Sequence, residues 1–411
     1  MEKPRGRTMC PMRLPSEYIE NLDAKHHGVH LAGMRARSAE RAAEHSFAHN
    51  PLLIISATAA LVTMFFVPPS AAYFDYFNWH TLACLFSVLA VIAGIDSSGL
   101  MEFVAHSLVE RVSSTKGLIF TLVLTTLGCS MVMSNDMTLV TLLPLATALL
   151  KSVKRESEIP LVFIMITLTA NFGGMLLPFS KPHNLYLYTA FGVGFSDYIA
   201  VVAPPFLLSI ALIFARCGFV KAAKFHYRKS EAIRISKPRA AICVVLFALC
   251  ITMTLGIVPY LTGMMIVVVV LAITDRRVFA KTDYTLVVTF ACFFVFSGNI
   301  AQIEVVTKFF CAVLNSCGVF ATSLLSCQFI SNVPTAILLG HFSTDWAGIA
   351  LGTNIGAVGT PISSLATLIT LRQYQKTGLG DNGKFIARFE AYNFTFLVIL
   401  FLFEVFIMRV H

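Results

Sequence analysis

The amino-acid sequence predicts an all-α polytopic membrane protein. Its 411 residues are 56% hydrophobic and only 13% charged, and the mean hydropathy is +0.76. Soluble domains carry about a quarter of their residues as charged side chains, so this composition excludes a soluble protein. Nearly uncharged runs recur from Pro51 to the C-terminus. Each is long enough to cross or deeply enter a hydrocarbon core about 30 Å thick.

Seven of these runs are predicted to be membrane spans, and shorter or interrupted apolar segments lie between them. The predicted spans are residues 51–67, 79–95, 198–217, 240–257, 260–274, 284–298 and 391–408.

Residues 1–50 form a polar N-terminal segment that carries five of the eleven His residues. We interpret it as a solvated tail in preference to a metal or pH-sensing site. The first apolar run begins only at Pro51, so we expect no cleaved signal peptide. The ten cysteines are spread singly, without a CxxC pair, and we expect neither a metal site nor a disulfide framework.

The distribution of positive charge predicts which loops face the cytoplasm. If the N-terminus is cytoplasmic and residues 117–150 form a re-entrant hairpin, 28 of the 31 Lys and Arg fall on the cytoplasmic side. A simple crossing at 117–133 would reverse the later loops and lose this asymmetry. The sequence therefore predicts a plasma (inner) membrane protein with a basic cytoplasmic linker at 218–239. The net charge of +9 then indicates cytoplasmic loops, with no nucleic-acid partner.

Two pairs of polar, helix-breaking strings recur inside the apolar runs. The first pair is SNDMTLVTLL from Ser134 and NFGGMLLPFS from Asn171, and the second is SNVPTAILLG from Ser331 and NIGAVGTPIS from Asn354. The second hairpin, 318–342, is expected to open outside, so the halves 51–217 and 240–411 form an inverted repeat with two re-entrant hairpins and two broken transmembrane helices. Such repeats are typical of secondary transporters, whose sites lie at the breaks.

Interrupted helices inside a membrane must line a site or a cavity, because unpaired backbone groups cannot face lipid. Helix N-termini offer N–H groups to an anion, whereas carbonyl, Asn and Ser oxygens can hold a cation. A single string of this kind usually only kinks or packs a helix. Four strings in two matched pairs favour a transport site.

At these strings the sequence resembles the ion-transporter superfamily, which contains citrate-transporter-like permeases, divalent-anion/sodium symporters, arsenite permeases and sodium/proton antiporters. The resemblance runs from about Pro51 to the end, and the passage from SNVPT into NIGAVGTPISSLATLI is its most specific part. It implies a homodimer in which a transport domain moves against a scaffold by an elevator-type motion. It also implies that the hairpin tips and broken helices form the site.

The sequence departs from the patterns of that superfamily in two respects. The dicarboxylate branch reads Ser-Asn-Thr at the start of both hairpin strings, whereas the third residue here is Asp136 in one string and Val333 in the other. An Asp at the third position resembles the arsenite-permease branch instead. Lys181 stands where related permeases often carry a neutral or acidic cation ligand.

The predicted site residues follow from the resemblance and from the polar residues beside the strings. The substrate-binding set is Ser134, Asn135, Thr138, Lys181, Asn184, Ser331, Asn332, Thr335, Thr360, Pro361 and Ser363. The coupling-ion set, for sodium or a proton, is Asp136, Asn171, Gly173, Gly174, Asn354 and Gly356.

Ionisable side chains at membrane depth are costly and need a partner or a function. We expect Asp136 and Lys181 to pair, although Asp136 as a helix cap and Lys181 as a snorkelling side chain are alternatives. His183 is expected to be a satisfied buried imidazole. Glu404 is expected to pack against the scaffold or a partner subunit.

The function favoured by these residues is secondary active transport of a small anion, a carboxylate or an inorganic oxyanion. Helix N-termini together with Lys181 favour a negative substrate. A cation/proton antiporter or an arsenite-type efflux permease of the same fold is the alternative. The sequence contains no Walker, zinc-protease or nucleophile-elbow motif, so we expect no enzyme activity. The only cofactor expected is a coupling sodium ion or proton, and the expected partners are the anion, the lipid bilayer and a second copy of the chain.

Overall fold

The computed structural model describes residues 51–71, 73–109, 112, 114–223, 235–380 and 382–410. The predicted tail 1–50 and most of the linker 218–239 lie outside them. The chain divides into two units, 1–54 and 55–411, and the architecture below concerns the second.

Nineteen α-helices and one 3₁₀ turn, Glu156–Glu158, make up the regular structure of the described residues, which contain no strand. The helices are α1 (Pro51–Met64), α2 (Tyr73–Tyr76), α3 (Trp79–Ser97), α4 (Leu100–Val109), α5 (Thr115–Val132), α6 (Asn135–Ser152), α7 (Ile159–Gly173), α8 (Pro182–Ala190), α9 (Phe195–Gly218), α10 (Lys237–Thr254), α11 (Tyr260–Thr274), α12 (Arg277–Lys281), α13 (Tyr284–Gln302), α14 (Glu304–Cys317), α15 (Val319–Ile330), α16 (Asn332–Leu339), α17 (Trp346–Ile355), α18 (Leu365–Lys376) and α19 (Asn382–Val410).

Six helices of the described chain, α3, α5, α9, α10, α13 and α19, are long and apolar enough to cross a membrane. The pair α14 and α15 passes the same test as a seventh span but is bent by 117°. The all-helical, polytopic membrane character predicted from the sequence is therefore confirmed. The predicted spans 51–67 and 260–274 correspond to the shorter apolar helices α1 and α11.

The four polar strings lie where helices are interrupted. We call Met133–Ser134, between α5 and α6, the first junction and Ser331, between α15 and α16, the second junction. We call residues 174–181, between α7 and α8, the first break and residues 356–364, between α17 and α18, the second break. The interruptions follow from local chemistry, since Pro182 opens α8 and Gly359 adopts φ +125°, which side chains other than hydrogen rarely tolerate.

Helix α7 lies inside the protein, with Ile159 and every residue from Leu161 to Gly173 buried. It is apolar on all sides, as expected for a helix without a solvent or lipid face, and it packs against α5, α6, α9 and α18. Helix α17 is buried in the same way from Gly348 to Ile355 and packs against α15. Each of these two buried helices ends at a break, so both breaks begin in the interior of the protein.

Gly352 sets the distance between α15 and α17, and we predict that Gly352→Ala destabilises the protein. A Cβ atom at Gly352 would lie 2.6 Å from the backbone oxygen of Phe320, so the two helices would have to separate. Overpacking of this kind typically costs about 1–3 kcal/mol. The measurement is the thermal unfolding temperature of the purified protein in detergent.

The matched control is Gly128→Ala in α5, where the added Cβ would meet no atom within 4 Å. This variant should unfold at the parental temperature or above it, because alanine favours a helix over glycine by about 0.5–1 kcal/mol. Equal unfolding temperatures for the two variants would show that α15 and α17 are not in close contact.

Candidate functional site

The first junction and the first break meet through two carboxamides. Asn135, at the start of α6, donates from Nδ2 to Oδ1 of Asn171, two residues before the end of α7, at 3.2 Å. Oγ of Ser364, the residue before α18, donates to the same Oδ1 at 3.4 Å. The cluster therefore joins three helices, and Ser364 was not among the residues predicted from the sequence.

Two glycines let these elements approach closely. A Cβ atom at Gly173 would collide with Oγ of Ser130 in α5, and one at Gly174 would lie 2.6 Å from Oδ1 of Asn135 and 3.2 Å from Cε of Lys181. The absent side chain at Gly174 thus leaves the space in which the lysine stem passes beside Asn135.

Lys181 carries a buried ammonium group into the other half of the chain. Its side chain is 2% exposed, and Nζ donates to Oδ1 of Asn354 in α17 at 3.1 Å. Asn184 exchanges two hydrogen bonds with Asn354, at 3.3 Å and 2.7 Å, and Nδ2 of Asn354 also donates to the carbonyl of Ala350. Asn354 is therefore held in one orientation, with its oxygen turned to the lysine.

The expected ion pair between Asp136 and Lys181 is wrong. The ion pairs of the described residues are Arg239–Asp275 and Lys308–Glu304, and Lys181 is bonded to Asn354 instead. Asp136 follows Asn135 on a helix, so it points about 100° away from the carboxamide cluster, and it is only half-buried.

His183 is buried as predicted, at 1% exposure. However, its Nε2 atom has no hydrogen-bond partner in the described structure, so the imidazole, which also interacts with Asn354, is only partly satisfied. Glu404 is also buried.

The second junction is satisfied largely by its own residues. Oδ1 of Asn332 accepts from the backbone N–H of Val333 and from Oγ of Ser331, while Thr335 donates to the carbonyl of Ser331 at 2.7 Å. Ser331 also bonds the carbonyl of Ser363, which ties the junction to the second break.

Gln328 organises the second break and was missed by the sequence analysis. Its Nε2 donates to the carbonyls of Gly356 and Val358, and its Oε1 accepts from the backbone N–H of Thr360. The hydroxyl of Thr360 returns a bond to the carbonyl of Gln328. Pro361 is half-buried beside these groups in the break. A polar residue three positions before Ser331 in an apolar helix was the one available signal for this role.

The assembled site combines three kinds of chemistry. Helices α6, α8, α16 and α18 all begin here, and helix N-termini attract anions. Lys181 supplies a charge. Oδ1 of Asn135 and Oγ1 of Thr138 are buried and have no partner among the described residues. Such groups are available to a ligand or to water.

Comparison with known proteins identifies a family and several relatives. The family model described as citrate transporter matches residues 47–347. An uncharacterized transporter of Methanocaldococcus jannaschii is 28% identical over 323 residues, covering 78% of this chain and 88% of its own length. The inner membrane protein YbiR of Escherichia coli is 29% identical over 303 residues, covering 72% of this chain and 80% of its own. A Dictyostelium discoideum protein named as the transporter arsB is 25% identical over 135 residues, covering 33% of this chain and 24% of its own length.

The matched region includes both junctions and the first break, and it ends within helix α17. This chain belongs to the citrate transporter family and is a membrane transporter.

Proposed function

We propose that this protein is a secondary active transporter of a small anion, coupled to protons and independent of sodium. The observation that carries the proposal is the buried ammonium of Lys181, bonded to Asn354 where the two breaks meet. A fixed positive charge among helix N-termini favours an anion over a cation as the transported species. The family's description supports a carboxylate as the first candidate.

Equivalent contacts in the two halves support an inverted repeat. Lys181 follows Asn171 by ten residues, as Ser364 follows Asn354, and each of the two donors bonds the asparagine of the opposite half. Gly173 packs on Ser130 of α5, and Gly356 packs on Cys327 of α15 with its Cβ position 3.0 Å from that of the cysteine. Ser130 and Cys327 each lie four residues before their junction serine.

The hydrophobic core supports a division into transport domain and scaffold. A large cluster joins α5 to α9, α15, α17, α18 and α19, whereas a smaller one joins α3, α10, α11 and α12. Met133 in the first junction and Phe179 in the first break belong to the smaller cluster. We infer that the smaller cluster is part of a scaffold, with a second copy of the chain as its partner, and that the larger one moves past it.

Lys181 also argues against a sodium ion at the second break. Two unit charges about 4 Å apart repel by about 4 kcal/mol at an effective dielectric constant of 20. The oxygen of Asn354 that would coordinate sodium is already bonded to the ammonium. The lysine therefore takes the place of a cation there, and release of its proton would couple the site to a proton gradient.

An arsenite-type permease or a cation/proton antiporter is the second candidate. Asp136 favours it, because this carboxylate lies beside Asn135, is half-buried and forms no ion pair in the described structure. The partial match to the arsB-named protein points the same way.

In the topology that we propose, the N-terminus and the linker lie on the cytoplasmic side of the plasma (inner) membrane. We predict that Lys221→Cys, in the described part of the linker, reacts with a membrane-impermeant maleimide only from the cytoplasmic side. Thr344→Cys, after α16, should react only from the outside, and both residues are exposed. Labelling of intact cells and inverted vesicles from a cysteine-free background measures this, and the opposite pattern at either position contradicts the topology.

The two junction asparagines should be required for transport. We predict that Asn135→Ala and Asn332→Ala each reduce uptake at least tenfold, because each removes a carboxamide from an interior with few polar atoms. Uptake of labelled citrate, succinate, phosphate and arsenite into proteoliposomes is the measurement. Insertion and monodispersity in detergent serve as controls for folding. Wild-type uptake by both variants would show that the junctions only pack helices.

Lys181 should determine the coupling ion. We predict that wild-type uptake is unchanged when choline replaces sodium, and that it rises when the side from which the anion enters is made more acidic. Lys181→Asn should lose the response to the pH gradient, because no ammonium remains to release a proton. Lys308→Asn, at an exposed ion pair, is the control. Strict sodium dependence of the wild type, or an unaltered pH response in Lys181→Asn, would refute the assignment.

A further inference from the structure

A seam of hydroxyl groups runs from the carboxamide cluster along the contact of α6, α7 and α18. At its inner end, Ser364 bonds Asn171. Thr167 lies one turn before Asn171 on α7, and its Oγ1 atom is 2.7 Å from Oγ1 of Thr370, six residues after Ser364 on α18. These two contacts link α7 to α18. The residue number falls along α7 as it rises along α18, so the two helices run antiparallel.

Two further threonines lie between these two contacts. Thr367 follows Ser364 by three residues on α18 and precedes Thr370 by three, so it lies on the same side of that helix. Thr138 follows Asn135 by one turn on α6. Because α6 and α7 are joined by a short turn, they also run antiparallel, and Thr138 therefore lies level with Thr367.

Both intermediate hydroxyls are buried without a partner. Thr138 is 1% exposed and Thr367 is 0% exposed, and neither Oγ1 atom has a hydrogen-bond partner in the part of the chain that the structure describes. The equivalent residue of the second junction, Thr335, bonds the carbonyl one turn before it. A buried hydroxyl left unpaired destabilises the folded protein, so these two groups point to a small hydrogen-bonding occupant, which we take to be water.

The seam has a charged group at one end and an aromatic layer at the other. At the inner end the stem of Lys181 and Oδ1 of Asn135 both lie next to Gly174. At the outer end Tyr374 of α18 stacks on Phe385 and meets Phe163 of α7 edge-on. The seam therefore approaches the membrane surface at which α6 and α18 end, and the aromatic layer closes it.

We propose that this seam is a hydrated proton path between that surface and Lys181. Each hydroxyl or water accepts a proton from one neighbour and passes its own to the next, so that one proton crosses and no bond order or oxidation state changes. Lys181 is the terminal group, taking up or releasing that proton at Nζ. The inference rests on the proposed proton coupling, and it assigns the route to four threonines: Thr138, Thr167, Thr367 and Thr370.

The titratable groups that face Lys181 are His183, buried two residues after it on α8, and Cys327, buried on α15. We assign the proton to Lys181 because its stem passes beside Asn135 at the inner end of the seam. Helix α7 has no ionisable residue. On α6, Asp136 points away from the cluster and Lys151 is exposed, and on α18 both Arg372 and Lys376 are exposed. Tyr374 is bonded through its hydroxyl to the carbonyl of Leu379, outside the seam.

The first test uses isosteric loss of one hydroxyl. Thr367→Val should reduce citrate uptake driven by a pH gradient at least tenfold, whereas citrate/citrate exchange at equal pH, which needs no net proton movement, should change less than twofold. Thr367→Ser should restore gradient-driven uptake. The matched control is Thr169→Val on α7, whose buried hydroxyl bonds only its own helix at Met165. Gradient-driven uptake at the wild-type level in Thr367→Val would overturn the proposal.

The second test needs no substrate. In a cysteine-free background, Thr367→Cys should react with the small aqueous thiol reagent 2-aminoethyl methanethiosulfonate, and Thr169→Cys should not, as measured by intact mass. An unreactive Cys at 367 would overturn the hydrated path whatever the protein transports. A wild type that moves no anion of the panel, together with a reactive Cys at 367, would instead refute the proposed function and leave the water path in place.

Discussion

Backbone that is interrupted inside a membrane protein must find its hydrogen bonds within the protein, and the rest of this structure depends on that constraint. At the second break Gln328 supplies partners for three backbone groups. At the first break the hydroxyl of Tyr198 donates to the carbonyl of Met175. Only with the backbone held in this way can Asn171 and Asn354 turn their carboxamides towards the opposite half. The site is therefore complete only when both halves are packed together.

Apolarity and helix-breaking residues are local properties, so the sequence predicted the membrane helices and placed the four strings at their interruptions. Partners are not local properties. Whether Lys181 meets Asp136 or Asn354 depends on the rotation of α6 about its axis and on the space beside Gly174, and sequence spacing specifies neither. Ser364 was missed for a related reason, since it follows the matched string and its partner lies on α7.

The two halves match in sequence more closely than in chemistry. Equivalent positions carry Lys181 and Ser364, so one asparagine oxygen faces an ammonium and the other a neutral hydroxyl. Equivalent junction threonines differ as well, because Thr335 bonds its own helix and Thr138 does not. The first half thus carries the fixed charge of Lys181 together with the open oxygens of Asn135 and Thr138, whereas the junction of the second half is largely paired. Charge and open oxygens are therefore unequally shared between the halves.

The unpaired hydroxyls have a cost in stability that indicates their purpose. Valine has the shape of threonine without the hydroxyl, so at Thr367 it would remove an unpaired buried group and stabilise a protein that had only to fold. The same reasoning applies to Thr138. Sequences depart from the most stable choice mainly at functional sites. The open hydroxyls lie in line with Lys181, the one buried ammonium of the described chain, and a proton that reaches this lysine needs a polar route. Stability is reduced where such a route would run.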